Sequence, residues 1–127
     1  NQDCHVILRG GKQPNYSAAD VDATCAVLKA AGLREQVMID VSHANSSKQH
    51  QRQITVAAEV AQQIAAGDAR ITGLMIESHL QEGRQDIVPG QPLAQGVSVT
   101  DACISMAQTV PVLEGLAAAV RARRQKA

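Results

Sequence analysis

Hydrophobic positions along this chain follow two patterns that take turns. Short, mostly apolar runs at Cys4–Leu8, Val37–Val41 and Ile71–Ile76 have the length and β-branched content of buried strands. Between and after them, apolar residues recur at offsets of three and four, as on one face of a helix. The first such stretch follows Ser17, which with Asp20 resembles a capping box, and places Val21, Cys25, Leu28 and Ala31 together before Gly32 ends it. The second runs from about Lys48 to Ala66, with a stripe of Ile54, Ala57, Val60, Ala61 and Ile64 and a stop at Gly67. The third is predicted to be capped by Thr109, with Pro111 in its first turn and a face of Leu113, Leu116, Ala117 and Val120. Residues 81–99, rich in Gly, Gln and Pro, read as a long loop without structure of its own, and Thr100 or Asp101 as the cap of a short helical turn to about Met106.

The order β-α-β-α-β-α, with connections long enough for parallel crossovers, predicts an α/β fold. Three strands would leave two open sheet edges, which points to three consecutive βα units of a larger barrel. The chain begins Asn1-Gln2-Asp3, without Met and just before a strand, as a fragment, a processed product or a trimmed piece would.

Composition narrows the function classes. Lys plus Arg and Asp plus Glu are equal at 12 each, so no long-range attraction to nucleic acid or an anionic membrane is expected. No apolar run approaches a membrane span of roughly 20 residues, and no secretory leader is visible, so a soluble cytoplasmic protein is expected. Three cysteines without CxxC spacing fit a reducing compartment. With Tyr16 the single aromatic residue, any core is aliphatic. The basic tail Arg121, Arg123, Arg124 and Lys126 suits the negative end of a helix dipole and requires no nucleic acid.

Chemistry concentrates where the strands stop. Arg9-Gly10-Gly11-Lys12 follows the first, the polar loop Ser42–Ser47 with His43 the second, and Glu77-Ser78-His79 the third; Asp101 lies beyond the long loop. In a parallel barrel these ends share one face, where active sites form. His43, Glu77 and Asp101 make an N/O donor set suited to a divalent first-row ion such as Mn, Fe, Co or Zn. Arg9 offers a fork for phosphate or carboxylate, Gly10 and Gly11 close access to the backbone, and Lys48, at a predicted helix start, a second cation. Each also has an ordinary reading: a hydrogen-bonded loop histidine, Glu77 paired with Arg9 or Lys12, an N-capping Asp101. His5 falls at the far end of its strand, and Asp40, inside an apolar run, requires a partner that the sequence does not name.

The runs CHVILRGGKQPNYS, QVMIDVSHANSSKQ, GLMIESHLQEG and VTDACI closely resemble the C-terminal part of class I DAHP synthase, and the resemblance extends over essentially the whole chain. That family is a metal-dependent TIM barrel condensing phosphoenolpyruvate with erythrose 4-phosphate, the first step of the shikimate pathway. The resemblance implies that residues 1–127 are the C-terminal portion of one (β/α)8 domain, with strands six to eight. It implies that Arg9 binds phosphoenolpyruvate, assisted by Gly10, Lys12 and Lys48, that His43, Glu77 and Asp101 ligate the metal, and that the complete enzyme is a homo-oligomer. Arg9 and His43 are the residues it marks as catalytic.

The family's fourth ligand is a cysteine on the first barrel strand, which this chain lacks, as it lacks the substrate cations of strands two, four and five. Cys4 lies roughly 16 Å below the strand end, Cys25 sits on a packed helix face, and Cys103 points elsewhere, so none replaces it. Two other readings stand beside this one: an inactive metal- or anion-binding α/β module, and a small flavodoxin-like domain with Asp40 as its functional acid.

Overall fold

The computed structural model describes residues 3–126. Its main sheet has three parallel strands in sequence order, β1 (Val6–Leu8), β2 (Val37–Asp40) and β3 (Ile71–Met75). Val6 pairs with Val37 and Leu8 with Ile39, while Ile39 pairs with Leu74 and Asp40 with Met75. Helix α1 (Ala18–Ala30) joins the first two strands, α2 (Arg52–Ala66) the second and third, and α3 (Met106–Arg124) closes the chain.

Alternation along the strands sorts the sheet into two faces. Leu8, Val37, Ile39, Val41 and Ile71 form one core with Val21 and Cys25 of α1, Val56, Val60 and Ile64 of α2, and Val112 and Ala119 of α3. All three helices therefore cover the same face. The other face carries Ile7, Met38, Gly73 and Met75, with Ile7 38% exposed. Right-handed crossovers between successive neighbouring strands place every helix on one side, whereas a flavodoxin-like sheet reverses its strand order and is covered on both. The order β1-β2-β3 has no such reversal, which removes the flavodoxin-like alternative.

Ser17 caps α1 as its spacing predicts: its hydroxyl accepts from the Asp20 N–H, and the Asp20 carboxylate accepts from the Ser17 N–H. Gly32 follows the helix at φ +69°, a conformation that suits glycine. Elsewhere the boundaries move. The first strand is shorter than expected, Cys4 and His5 being exposed ahead of it. A 3-10 turn, His43–Ser46, precedes α2, which starts at Arg52 rather than Lys48; Lys48 sits in a left-handed turn at φ +58°. The inward stripe of α2 includes Gln53 and Val56, and Ile54 lies outside it.

The greatest differences lie after β3. The segment expected to lack structure is tied down by a two-stranded parallel ribbon, β4 (Ser78–His79) with β5 (Ile104–Ser105), and by bridges Gly83–Cys103 and Arg84–Ser98. Inside it, the Gln85 side chain donates to the carbonyls of Ala94 and Val97 and accepts from the Ala94 N–H. No helical turn forms at residues 100–103. Ser105, not Thr109, caps α3, in a capping box with Gln108. Thr109 is buried inside the helix, its hydroxyl bonded to the Ser105 carbonyl and to Ser78 Oγ, and Pro111 falls in the second turn. The inward face is consequently Thr109, Val112, Leu116 and Ala119, and Leu113 is exposed. Two overlapping apolar stripes made this helix ambiguous, and the cap decided between them.

At the strands' N-terminal end, Arg70 donates to both oxygens of Asp68 and to Asp22 of α1, at 2.7–2.9 Å. These bonds hold the Asp68 carboxyl below its ordinary value of 3.8 despite partial burial, and hold the Arg70 guanidinium in its charged form. A depressed folded-state value contributes stability above the ordinary value, lost as pH falls through the folded one. Asp68→Ala is accordingly expected to cost of order 1 kcal/mol at neutral pH. Urea denaturation should show the two proteins converging below the ordinary carboxylate range; a gap that persists in acid would mean the charge contributes nothing. Among the described residues, no helix is long and apolar enough to cross a membrane.

Candidate metal centre at the strand ends

The loop after β2 folds the way it does because buried polar groups there must all be paired. Asn45, wholly buried, donates to the carbonyls of Leu8 (3.1 Å) and Asp40 (2.7 Å) and accepts from the Asn15 N–H (2.8 Å). One side chain thus satisfies the carbonyls at the ends of β1 and β2 and fastens the β1–α1 loop to them. Asn15 in turn accepts from the Gly10 N–H at 2.7 Å.

Asp40 has the partner its position demands. One oxygen accepts from the Ser42 N–H at 2.8 Å, and the other lies 2.7 Å from His43 Nδ1. With Nδ1 so held, His43 presents Nε2 outward, and the residue adopts φ +49° to do so. A left-handed non-glycine residue costs roughly 1–2 kcal/mol and persists where its surroundings fix it.

His43 Nε2 lies 3.6 Å from Glu77 Oε1 and 3.9 Å from Asp101 Oδ2. One donor atom from each of the three falls within 4.8 Å of the others, the one such cluster among the described residues. Ser42 donates its hydroxyl to the second Glu77 oxygen, so Glu77 pairs with Ser42 and His43 rather than with Arg9 or Lys12. Metal–ligand bonds of about 2.0–2.2 Å require donors somewhat closer than these, a small inward movement for exposed Asp101 and half-buried Glu77. The donors fit a divalent ion, the imidazole being oriented by a carboxylate as metal-binding histidines commonly are.

The cavity here, about 130 Å³, is lined by Ser42, His43, Ser46, Lys48, His50, Glu77, Asp101 and Ala102. The sequence candidates therefore divide. His43, Glu77, Asp101 and Lys48 come together, Lys48 from a turn and not from a helix start. Arg9, Gly10 and Lys12 lie on the β1–α1 loop, outside this lining. The Gly10 N–H is engaged by Asn15, so glycine is required there for packing: an added Cβ would meet Ala44 Cβ at 2.7 Å and Asn45 N at 2.8 Å, at φ +77°. His79 turns to the Gly96 carbonyl, and Cys103 is buried, its thiol pushed up by desolvation. A larger groove at the opposite end of the sheet, lined by His5, Leu28 and Leu33 among others, brings no such donor cluster together.

Asp40, Ser42 and Gln53 were not identified as parts of this site by sequence reasoning. Asp40, three residues before His43, reads in sequence as a buried acid or as the functional acid of a flavodoxin-like domain; Ser42 is one of several loop hydroxyls; and Gln53 ends the polar run that opens α2.

A family model described as the DAHP synthetase I family matches residues 1–114. The chain is 58% identical over 124 residues to the Phe-sensitive phospho-2-dehydro-3-deoxyheptonate aldolase of Escherichia coli strain K12, covering 98% of this chain and 35% of that protein. It is 55% identical over 130 residues to the tyrosine-inhibited enzyme of Schizosaccharomyces pombe, with the same two coverages. The solved phospho-2-dehydro-3-deoxyheptonate aldolase of Francisella tularensis SCHU S4 superposes with a TM-score of 0.92 at 50% identity, over 97% of this chain and 36% of that one. The chain thus spans about a third of the length of the relatives it matches.

The two glycines of the first loop are expected to behave oppositely. Gly10→Ala should cost about 2–4 kcal/mol, from left-handed strain and the clash with Ala44. Gly11→Ala, with nothing within 4 Å, should stay within about 1 kcal/mol of the parent. Denaturation midpoints of the two variants check this, and equal midpoints would refute the packing role of Gly10.

Proposed function

Because the chain belongs to the DAHP synthetase I family, we propose that it supplies one side of the active site of a phospho-2-dehydro-3-deoxyheptonate aldolase. The observation that carries this reading is the convergence of His43, Glu77 and Asp101 donors at the ends of parallel strands. We assign residues 1–127 to the C-terminal portion of one TIM-barrel domain, with β1, β2 and β3 as barrel strands six to eight. Sequential strand order, helices on one face and the superposition on a longer solved relative support that assignment. The complete enzyme is read as a cytoplasmic homo-oligomer.

In this reading His43, Glu77 and Asp101 hold a divalent ion, Mn, Fe, Co or Zn. Bound there, the ion supplies Lewis acidity toward an aldehyde oxygen or lowers the pKa of a water. The substrates are phosphoenolpyruvate and erythrose 4-phosphate: the enol carbon of the first bonds to the aldehyde carbon of the second, water adds, and phosphate leaves. Arg9 grips the phosphate or carboxylate of phosphoenolpyruvate through its planar fork. Arg9 directly follows β1, at the same end of the sheet as His43 and Glu77, which supports its turning toward the site. Lys48, already in the cavity lining, adds a cation for a second anionic group. Asp40 keeps Nδ1 of His43 engaged, so that Nε2 remains the donor.

Two outcomes test this. In the complete polypeptide, Arg9→Ala should lower kcat/KM by about 2–5 kcal/mol, as loss of a desolvated charge contact does. Lys12→Ala, on an exposed loop, should change it by less than about 1 kcal/mol; equal effects would show the anion site to be misplaced. The 127-residue chain alone, lacking the other strands, their substrate cations and the fourth ligand, should form no product with both substrates and added manganese and should self-associate through its open edges. Metal-dependent turnover by a stable monomer would favour a self-contained domain. Stoichiometric metal binding without turnover by the complete polypeptide would favour the inactive metal-binding module.

A further inference from the structure

Gln53 is a fully buried polar residue at an inward position of α2, where the flanking inward residues Val56, Ala57 and Val60 are apolar. A buried primary amide is costly unless its hydrogen bonds are made. Here both ends of the amide meet a single residue. Oε1 accepts from the Glu77 N–H at 2.8 Å, and Nε2 donates to the Glu77 carbonyl at 3.1 Å. That carbonyl also accepts from the Ile104 N–H at 3.1 Å. The pairing of β2 with β3 ends at Met75, and Glu77 lies two residues beyond it. At that point the amide of Gln53 does what a neighbouring strand would do, engaging N–H and C=O together.

We propose that Gln53 is a positioning residue for the metal centre, setting the main chain of Glu77 so that its carboxylate faces His43. The inference rests on the metal reading given above. Its force lies in how the two parts of Glu77 are held. Ser42 orients the carboxylate from the loop after β2, and Gln53 fixes the backbone from α2. Neither suffices alone: without Gln53 the Glu77 N–H loses its acceptor and only the Ile104 N–H still holds the carbonyl, so a carboxylate bonded to Ser42 can swing about that bond and open the 3.6 Å approach to His43 Nε2. Sites of this kind tolerate displacements of only about 0.5 Å.

The test uses the complete polypeptide, Co²⁺ as the probe, and two readouts besides activity: the Co²⁺ dissociation constant and its d–d absorption spectrum. Gln53→Met, close in volume but unable to make either bond, should weaken Co²⁺ binding by about 10- to 100-fold and alter the spectrum. Val56→Ala, in the same buried stripe but without contact to Glu77 by hydrogen bond, should lower stability and leave both readouts at parental values. Parental affinity and spectrum in Gln53→Met, or an equal loss in Val56→Ala, would overturn the proposal and leave Gln53 as a packing residue. If Gln53→Met does not fold, Gln53→Glu keeps the acceptor for the Glu77 N–H and lacks the amide donor; it should still bind Co²⁺ several-fold more weakly, and parental binding would be just as damaging. A parental protein that shows no Co²⁺ spectrum would instead overturn the metal reading itself, and this inference with it.

Discussion

The side-chain amide of Asn45 is the constraint on which the rest of the site depends. Parallel strands end with carbonyls that no neighbour satisfies, and those of Leu8 and Asp40 point into the region where the chain must also turn toward α2. Asn45 takes both and accepts from Asn15 as well, so β1, β2 and the two following loops share one buried junction. Replacing it with an apolar residue would leave several main-chain groups unpaired away from water, a cost of about 1–3 kcal/mol for each. His43 lies two residues from Asn45, and its left-handed backbone is affordable because the junction and Asp40 leave the turn no other arrangement.

From this junction the site is built outward in layers of decreasing rigidity. His43 is held by Asp40, itself buried at the end of a central strand. Glu77 is held at its backbone by Gln53 and at its carboxylate by Ser42, contacts that come from two different elements. Asp40 and Gln53 sit on the sheet and on the helix packed against it, and Ser42 follows two residues after Asp40, so the aliphatic core sets the site's geometry even though it contributes no donor atom. The absence of Phe and Trp fits this division: small β-branched residues pack strands and helices closely, leaving the polar work to residues at the strand ends.

How much of this was legible in the sequence follows from how local each signal is. The strands, the Ser17 cap and the grouping of His43, Glu77 and Asp101 rest on short-range patterns and on the rule that parallel strand ends share a face, and the structure agrees with them. The start of α2 was misplaced because Ser47 and Lys48 adopt left-handed backbone, which neither residue type advertises. The cap of α3 was misplaced because Ser105 and Thr109 are both good caps, and only the pairing of Ile104 with Ser78 shows which one lies outside the helix. The role of Asn45 has no local signal because two of its three partners, the Leu8 carbonyl and the Asn15 N–H, lie 37 and 30 residues away. Gln53 was invisible for the same reason: its partner is the backbone of a residue 24 positions away.

Asp101 differs from the other two donors in what holds it. Its side chain is 68% exposed, and the long segment that carries it is held by hydrogen bonds within itself and to the starts of α2 and α3. Arg84 donates to the Thr100 carbonyl, Ser98 pairs with Gln85, and Glu82 accepts from His50, Gln51 and Gln108, bonds that hold its carboxyl below the ordinary range. Hydrogen bonds in contact with water contribute little each, and segments dependent on them open locally at a small fraction of the global unfolding free energy. Two of the three side chains are therefore held by the scaffold, and the third stands on a segment that meets the scaffold at its end, where the Ile104 N–H donates to the Glu77 carbonyl.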